Sequence, residues 1–439
     1  MIRRLTMLVA LAAATMGMAP QPRDTLDTIA REYVQLSLEA GVREEGYVDA
    51  YYGPAEWQSK AKANPRTVQQ LSTDAAALVE RTRAIDPARL SPIERKRRAF
   101  LMGQLTAAST RMAMAGGKKF SFDDEARGLF GVTPKLASFA ELDAALAELD
   151  RLAPGKGTLA ERVAAMGSGR GGGVIPPDRI AKVVGLAIAE CKARTLKHIP
   201  LPAGESFTLG LAKDKPWGAY NYYKGNFTSH IDVNTDQPVE VAAAVVYGCH
   251  EGYPGHHVYN MLLERDLLKG RGWVEFSIYP LYGPQSLIAE GSGNYGVEIA
   301  FPGQERARFE AATLYPAAGV RPPSQAADAR IAALRDQLGR ARFTIAREYL
   351  DGRIDRAEAI ALTQKYALVG PDAAAKSLSF TDAYRSYVIN YGYGLELVRA
   401  AVEASAPDQD GRWRTLKTIL SEPTTPADLI AMAGAGSAK

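Results

Sequence analysis

Apolar residues recur at helical spacing along most of this chain. Ser91-Pro92-Ile93-Glu94 reads as a capping box with proline in the first turn, opening an amphipathic run to about Met114. Thr158-Leu159-Ala160-Glu161 and Asp355-Arg356-Ala357-Glu358 repeat the signal. Pro177-Asp178 opens a run to about Lys197, apolar at Ile180, Val183, Val184, Leu186 and Ile188. Gln325 to Leu350 predicts one long helix, apolar at Ile331, Leu334, Leu338, Phe343 and Ile345. Ser206 to Val233 breaks the period: it is rich in aromatic and β-branched residues, interrupted by Asp214-Lys215-Pro216 and Lys224-Gly225-Asn226. This stretch reads as two or three short antiparallel strands. Asp236, Pro238 and Glu240 then start a helix that runs through Val246 toward His250. The pattern predicts a mainly α fold: a large helical domain with a small antiparallel β-sheet just before the helix that leads to His250.

Composition alters this picture at the N-terminus. Arg3 and Arg4 precede an apolar stretch from Leu5 to Met18, and Gly17-Met18-Ala19 offers small residues for cleavage. Residues 1–19 therefore read as a signal peptide, with Ala12-Ala13-Ala14 as an alternative cleavage site, and the mature protein as periplasmic or secreted. No cysteine stands nearby for a lipid anchor. Residues 20–200 form the expected N-terminal helical part and 201–439 the catalytic part. Without residues 1–19, 51 basic residues face 49 acidic ones, down from a formal +4 for the whole chain. That balance excludes a nucleic-acid binder, which needs a dense basic surface, and no later apolar run is long enough to span a membrane. Gly167 to Gly173 contains a lone Gly-x-Gly-x-x-Gly, but Ile175-Pro176-Pro177 follows it, so it reads as a loop rather than a nucleotide site. Cys191 and Cys249 are the only cysteines; they read as two buried thiols, with a single bridge as the alternative.

The chemistry concentrates in His250-Glu251-Gly252-Tyr253-Pro254-Gly255-His256-His257, which holds three of the five histidines. A zinc-protease helix spaces two histidine ligands four apart, with a glutamate beside the first as general base on the metal's water. Here Pro254 stands where the second histidine belongs. On an unbroken helix His257, seven along, returns to within about 20° of His250. If Pro254 and Gly255 loop out two residues, His256 takes the place instead. Both remain candidate Zn2+ ligands. Glu290, Asn294 and Glu298 are spaced by four, and three glycines interrupt that segment. Such glycines weaken a helix by roughly 1 kcal/mol each, a cost that close approach to the histidine helix would explain. Glu290 is the natural third ligand, with Asn294 or Glu298 orienting a histidine.

These residues resemble bacterial domain-of-unknown-function family 885. The resemblance rests on His-Glu-x-x-Pro-Gly-His-His followed by Glu-Gly and a tyrosine, and spans roughly Trp217 to Arg399. It implies a gluzincin-type zinc metallopeptidase: His250 with His256, His257 or both as ligands, Glu251 as base and Glu290 as third ligand. The family's Glu-Gly-Trp-Ala-Leu-Tyr segment stands here as Glu290-Gly291-Ser292-Gly293-Asn294-Tyr295, and its Pro-Gly-Gln turn is replaced by Asn390-Tyr391-Gly392-Tyr393-Gly394. Those departures bear on substrate preference more than on metal binding. His230, Tyr387, Tyr391 and Tyr393 are candidate donors to a developing oxyanion. Arg385 is a candidate for a substrate carboxylate, although a structurally paired arginine is the simpler reading. The strand from Tyr220 to Val233 can pair with an extended peptide. The expectation is a zinc-dependent hydrolase acting on a peptide or small amide. A zinc amidase or esterase, or an exported binding protein with a structural metal site, is the alternative.

Overall fold

Side-chain caps start the helices where the sequence places them. In the computed structural model, which describes residues 24–163, 173–215, 217–322 and 329–436, the Glu94 carboxylate accepts from the Ser91 amide at 2.8 Å while Ser91 Oγ accepts from the Glu94 amide. Thr67 with Gln70 and Ser138 with Glu141 form the same reciprocal cap. The expected signal peptide, and all but the last residue of the Gly167–Gly173 match, lie outside the described residues.

The elements that build the site are, among the helices, α1 (Leu26–Arg43), α2 (Pro92–Ala115), α3 (Ile180–Leu196), α4 (Val241–Val246), α5 (His256–Leu263), α6 (Pro284–Ala300), α7 (Ala329–Gly339), α8 (Ala341–Leu350) and α9 (Ile389–Ser405). The strands are β1 (Val48–Tyr51), β2 (Ser206–Ala212), β3 (Ala219–Gly225), β4 (Thr228–Asn234) and β5 (Ile278–Pro280). The fold is mainly α with small sheets. β1 pairs antiparallel with β5, and the other sheet has the order β2-β4-β3. Here the antiparallel expectation holds only in part: β3 and β4 form an antiparallel hairpin, but β2 runs parallel to β4. β4 sits in the middle, so the chain crosses from β2 to the far edge before returning, which reverses the sense of the β2 pairing. The long helix expected over Gln325–Leu350 divides at Arg340, next to Gly339, into α7 and α8; its first residues lie outside the described ones.

One apolar core runs from Leu26 to Leu429 and takes residues from both sides of position 200. The Phe100 and Phe276 rings stack at 4.7 Å, and Arg97 pairs with the fully buried Glu275 at 2.5 Å. A second, smaller cluster gathers Leu142, Leu149, Ile331, Leu338 and Tyr366. α6 runs through the main core with nearly every side chain buried, so it shows no polar face. It crosses α9 at two glycines: a Cβ on Gly291 would stand 2.4 Å from the Gly394 carbonyl oxygen.

Cys191 of α3 and Cys249 form a disulfide, which replaces the reading of two free thiols. The bridge closes a separation of 58 residues and fastens α3 to the residue before His250. Loop-closure entropy for that span is worth about 4 kcal/mol. Reductant should therefore lower the urea-unfolding free energy of the wild-type protein by up to that amount and leave a Cys191→Ser/Cys249→Ser double variant unmoved. A wild-type unfolding curve indifferent to reductant would mean that the thiols are free.

Candidate metal centre

Pro254 decides how the histidine run folds. It has no amide hydrogen to continue the ladder. After α4 the chain widens into a π-helical turn over Tyr247–Gly252 and passes a cis Tyr253-Pro254 bond. It restarts at α5 with His256 as the first helical residue. A Cβ at Gly255 would fall 1.8 Å from the His250 carbonyl oxygen, so only glycine fits this turn. The outcome is the looped-out arrangement: His256, not His257, comes to His250.

His250, His256 and Glu290 each aim one ligand atom into a common space, all within 4.8 Å of one another. His250 Nε2 lies 3.3 Å from Glu290 Oε2, and His256 Nε2 lies 4.0 Å from the same oxygen. That Oε2 is buried and has no hydrogen-bond partner. Its sister Oε1 accepts from the Tyr387 hydroxyl at 2.9 Å. His250 Nδ1–H donates to Asn294 Oδ1 at 3.1 Å, while Asn294 Nδ2 donates to the Tyr391 carbonyl at 2.9 Å. The amide orientation fixes the tautomer, leaving the Nε2 lone pair of His250 for a metal. Two imidazole nitrogens and one unpartnered carboxylate oxygen are the donor set of a catalytic zinc site, so the residues fit the ion.

Charge in the pocket is balanced as if a cation were expected. Burial would raise the Glu290 carboxyl, but the two histidines and Tyr387 hold it below its usual range. Burial would depress His250, yet Glu290 and Glu251 raise it to about 9. His256 goes the other way, to about 4, through burial and the neighbouring His250. The His250 and Glu290 shifts run in opposite directions because each group favours the charged form of the other. Glu251, beside His250, is pushed up to about 7 by burial, with Glu290 adding to the rise.

The remaining candidates separate by geometry. His257 is fully buried and turned away: the Ser229 hydroxyl lies 2.7 Å from its Nδ1, and its Nε2 meets Glu205 at 3.0 Å. With both ring nitrogens engaged, it has no lone pair directed at the cluster. His230 lies on β4 between Thr208 at 2.7 Å and Asp232 at 3.0 Å, and the structure does not bring it to the cluster. Tyr391 and Tyr393 are two apart on one helix, hence roughly 200° apart. Tyr391 shares a face with Tyr387, and both hydroxyls are held well above the usual tyrosine range, by burial first and then by Glu290. Tyr393 is half-buried, its neighbouring charge being Glu396. Of the two suggested orienting groups, Asn294 takes the role and Glu298 pairs with Arg399 at 2.5 Å. Arg385 is paired with Glu125 at 2.7 Å.

Two neighbours were not singled out from the sequence. Asp49 of β1 is pushed to about 7 by its surroundings and by the Glu290 and Glu251 carboxylates. Asn221 of the edge strand β3 donates its side-chain amide to the Glu251 carbonyl at 2.6 Å, tying the sheet to the histidine turn. No local motif marks either residue.

The glycines of α6 have the role their cost suggested. A Cβ on Gly293 would stand 2.9 Å from His250 Nδ1, and one on Gly296 3.2 Å from Pro254. Gly293→Ala should push the imidazole off Asn294 and weaken zinc binding by about 10- to 100-fold, as loss of a supporting hydrogen bond does. Zinc titration against a competing chelator checks this; unchanged affinity would show that the ring has room.

No family model matches the chain, and no curated protein matches it. Among solved structures it is similar to a protein described as a lipoprotein from Colwellia psychrerythraea, at 14% identity and a TM-score of 0.51, covering 94% of this chain and 75% of that one. It is also similar to an M32 carboxypeptidase from Deinococcus radiodurans R1, at 14% identity and a TM-score of 0.46, covering 93% and 94%. A lipoprotein of unknown function from Shewanella oneidensis aligns at 10% identity and a TM-score of 0.45, covering 91% and 81%. The likeness to the Colwellia protein, at 14% identity, is one of fold. No described helix is long and apolar enough to cross a membrane.

Proposed function

We propose that the chain is a zinc-dependent hydrolase that cleaves peptide bonds. The observation that carries the reading is the convergence of His250, His256 and the unpartnered Glu290 oxygen, with Glu251 buried beside them. A structural zinc site is closed by four protein ligands, whereas a catalytic one has three. His257, the obvious fourth, is engaged by Ser229 and Glu205, which favours catalysis over a structural site.

Bound zinc would polarise the scissile carbonyl and acidify the attacking water. Glu251 would serve as the general base, accepting a proton from the attacking water and returning it to the leaving amine. The oxyanion donor in this reading is Tyr391, whose hydroxyl burial and then Glu290 keep protonated and whose ring packs against that of Tyr387. Tyr387 instead fixes the Glu290 carboxylate. β3 is an edge strand that pairs only with β4 among the described residues, and an extended substrate added along it is part of this reading. Export to the periplasm or beyond, through residues 1–19, belongs to the same proposal.

The test is metal analysis of the purified protein paired with digestion of a mixed peptide library, read by mass spectrometry. Stoichiometric zinc with defined cleavage products is expected. Bound zinc with every peptide intact would point to an amidase, an esterase or a binding protein; absence of metal would end the proposal.

A further inference from the structure

A cleft of about 420 Å³ opens between α7, α8 and α9, and Asn294 and Tyr391 form part of its wall. Asn294 is the residue bonded to His250, so the cleft begins one hydrogen bond from the candidate metal centre. Arg340 and Arg342 both line it, and their partners differ. Arg340 is paired with Glu396 at 3.0 Å and Asp336 at 3.3 Å. Arg342 forms no ion pair among the described residues. Its single hydrogen bond there runs from Nη2 to the Val388 carbonyl at 3.2 Å. A guanidinium has five donors, and one bond to a carbonyl leaves its charge uncompensated.

The side chain is nevertheless held in place. Its guanidinium lies over the Phe343 ring at 4.9 Å and the Tyr391 ring at 5.3 Å. It remains solvent-exposed where it lines the cleft. An aromatic-braced arginine with four of its five donors unused among the described residues is suited to bidentate recognition of a planar anion, and its neighbour Tyr391 lies within the electrostatic reach of Glu290 and Glu251.

We propose that Arg342 binds the free α-carboxylate of the substrate, so that this chain removes residues from peptide C-termini or cleaves short peptides. The position of the scissile bond rests on the hydrolase reading above; the carboxylate site does not. An internal segment of a long chain presents no such charge, and Arg342 would then face a neutral backbone. Specificity of this kind is large, because an unpaired partner is left behind when the charge is missing.

The experiment compares an N-acetylated dipeptide with its C-terminal amide. Binding to the wild-type protein, Arg342→Gln and Arg342→Lys is measured by calorimetry, in zinc-loaded and chelator-treated forms. The free acid should bind at least tenfold tighter than the amide. Arg342→Gln should abolish that difference in both metal states, Arg342→Lys should restore part of it, and amide binding should be unchanged throughout. Equal binding of acid and amide by the wild-type protein overturns the proposal, as does a preference that survives Arg342→Gln. Turnover is scored separately on the same pair. A wild-type protein that binds the acid through Arg342 yet cleaves neither compound refutes the hydrolase reading and leaves the carboxylate site standing.

Discussion

Glu251→Gln retains zinc at wild-type stoichiometry and loses peptide turnover by about 100- to 10,000-fold, the range a general base supplies. The retention follows from geometry: the ligand group comprises His250, His256 and Glu290, and Glu251 is not a member of it. The loss follows because glutamine is nearly isosteric but cannot accept a proton. The wild-type pH profile provides a second readout. Burial and Glu290 push Glu251 to about 7 without metal, and a nearby dication favours the carboxylate, so the loaded value falls lower. Activity needs the ionised form. It therefore rises with pH through that lower value and falls away on the acid side. Any residual Glu251→Gln rate should lack this acid limb. A variant with more than a tenth of wild-type turnover would remove Glu251 from the mechanism.

The two adjacent histidines provide the second contrast. His256→Ala removes one of three ligands, and zinc affinity should fall by more than the roughly 10- to 100-fold that a lost supporting hydrogen bond costs. His257→Ala should hold zinc after dialysis while destabilising the fold. It strips partners from Ser229 and from Glu205, which is also bound by Tyr253 at 2.6 Å and by Lys192. Leaving such buried groups unsatisfied costs about 1–3 kcal/mol. Metal content and thermal melts of both variants separate the roles; the reverse result would mean that His257 swings into the site. Glu205 itself has its pKa lowered to about 2, against the effect of burial, by His257, Lys192 and Tyr253. Its contribution is present above the unfolded carboxylate range and is lost as pH falls from about 4.5 toward 2.

Much of this was legible locally. Capping residues such as Ser91 and Asp355 act within one turn, so their sequence signal is nearly the whole interaction. The signal for the candidate site is equally local at His250 and Glu251, which stand side by side in one short motif. The choice between His256 and His257 was not, because it turns on the path of the chain through Pro254-Gly255, which α6 confines from outside. Asp49 comes under the charges of Glu290 and Glu251, and Arg342 lies over Tyr391, only through contacts between segments far apart in the chain. The parallel β2–β4 pairing was hidden for a related reason: three strands in close succession suggest a meander unless the crossing is known.

The cluster draws its three ligand atoms from three separate segments: the π-helical turn, the start of α5 and the middle of α6. An ion held there acts as a non-covalent crosslink that adds to the packing and to the His250–Asn294 hydrogen bond between these segments. Its binding free energy is then also folding free energy, growing as RT ln(1 + [Zn]/Kd), or about 2.7 kcal/mol at a hundredfold excess over Kd. The metal supply would set how long the folded molecule persists as well as how fast it works.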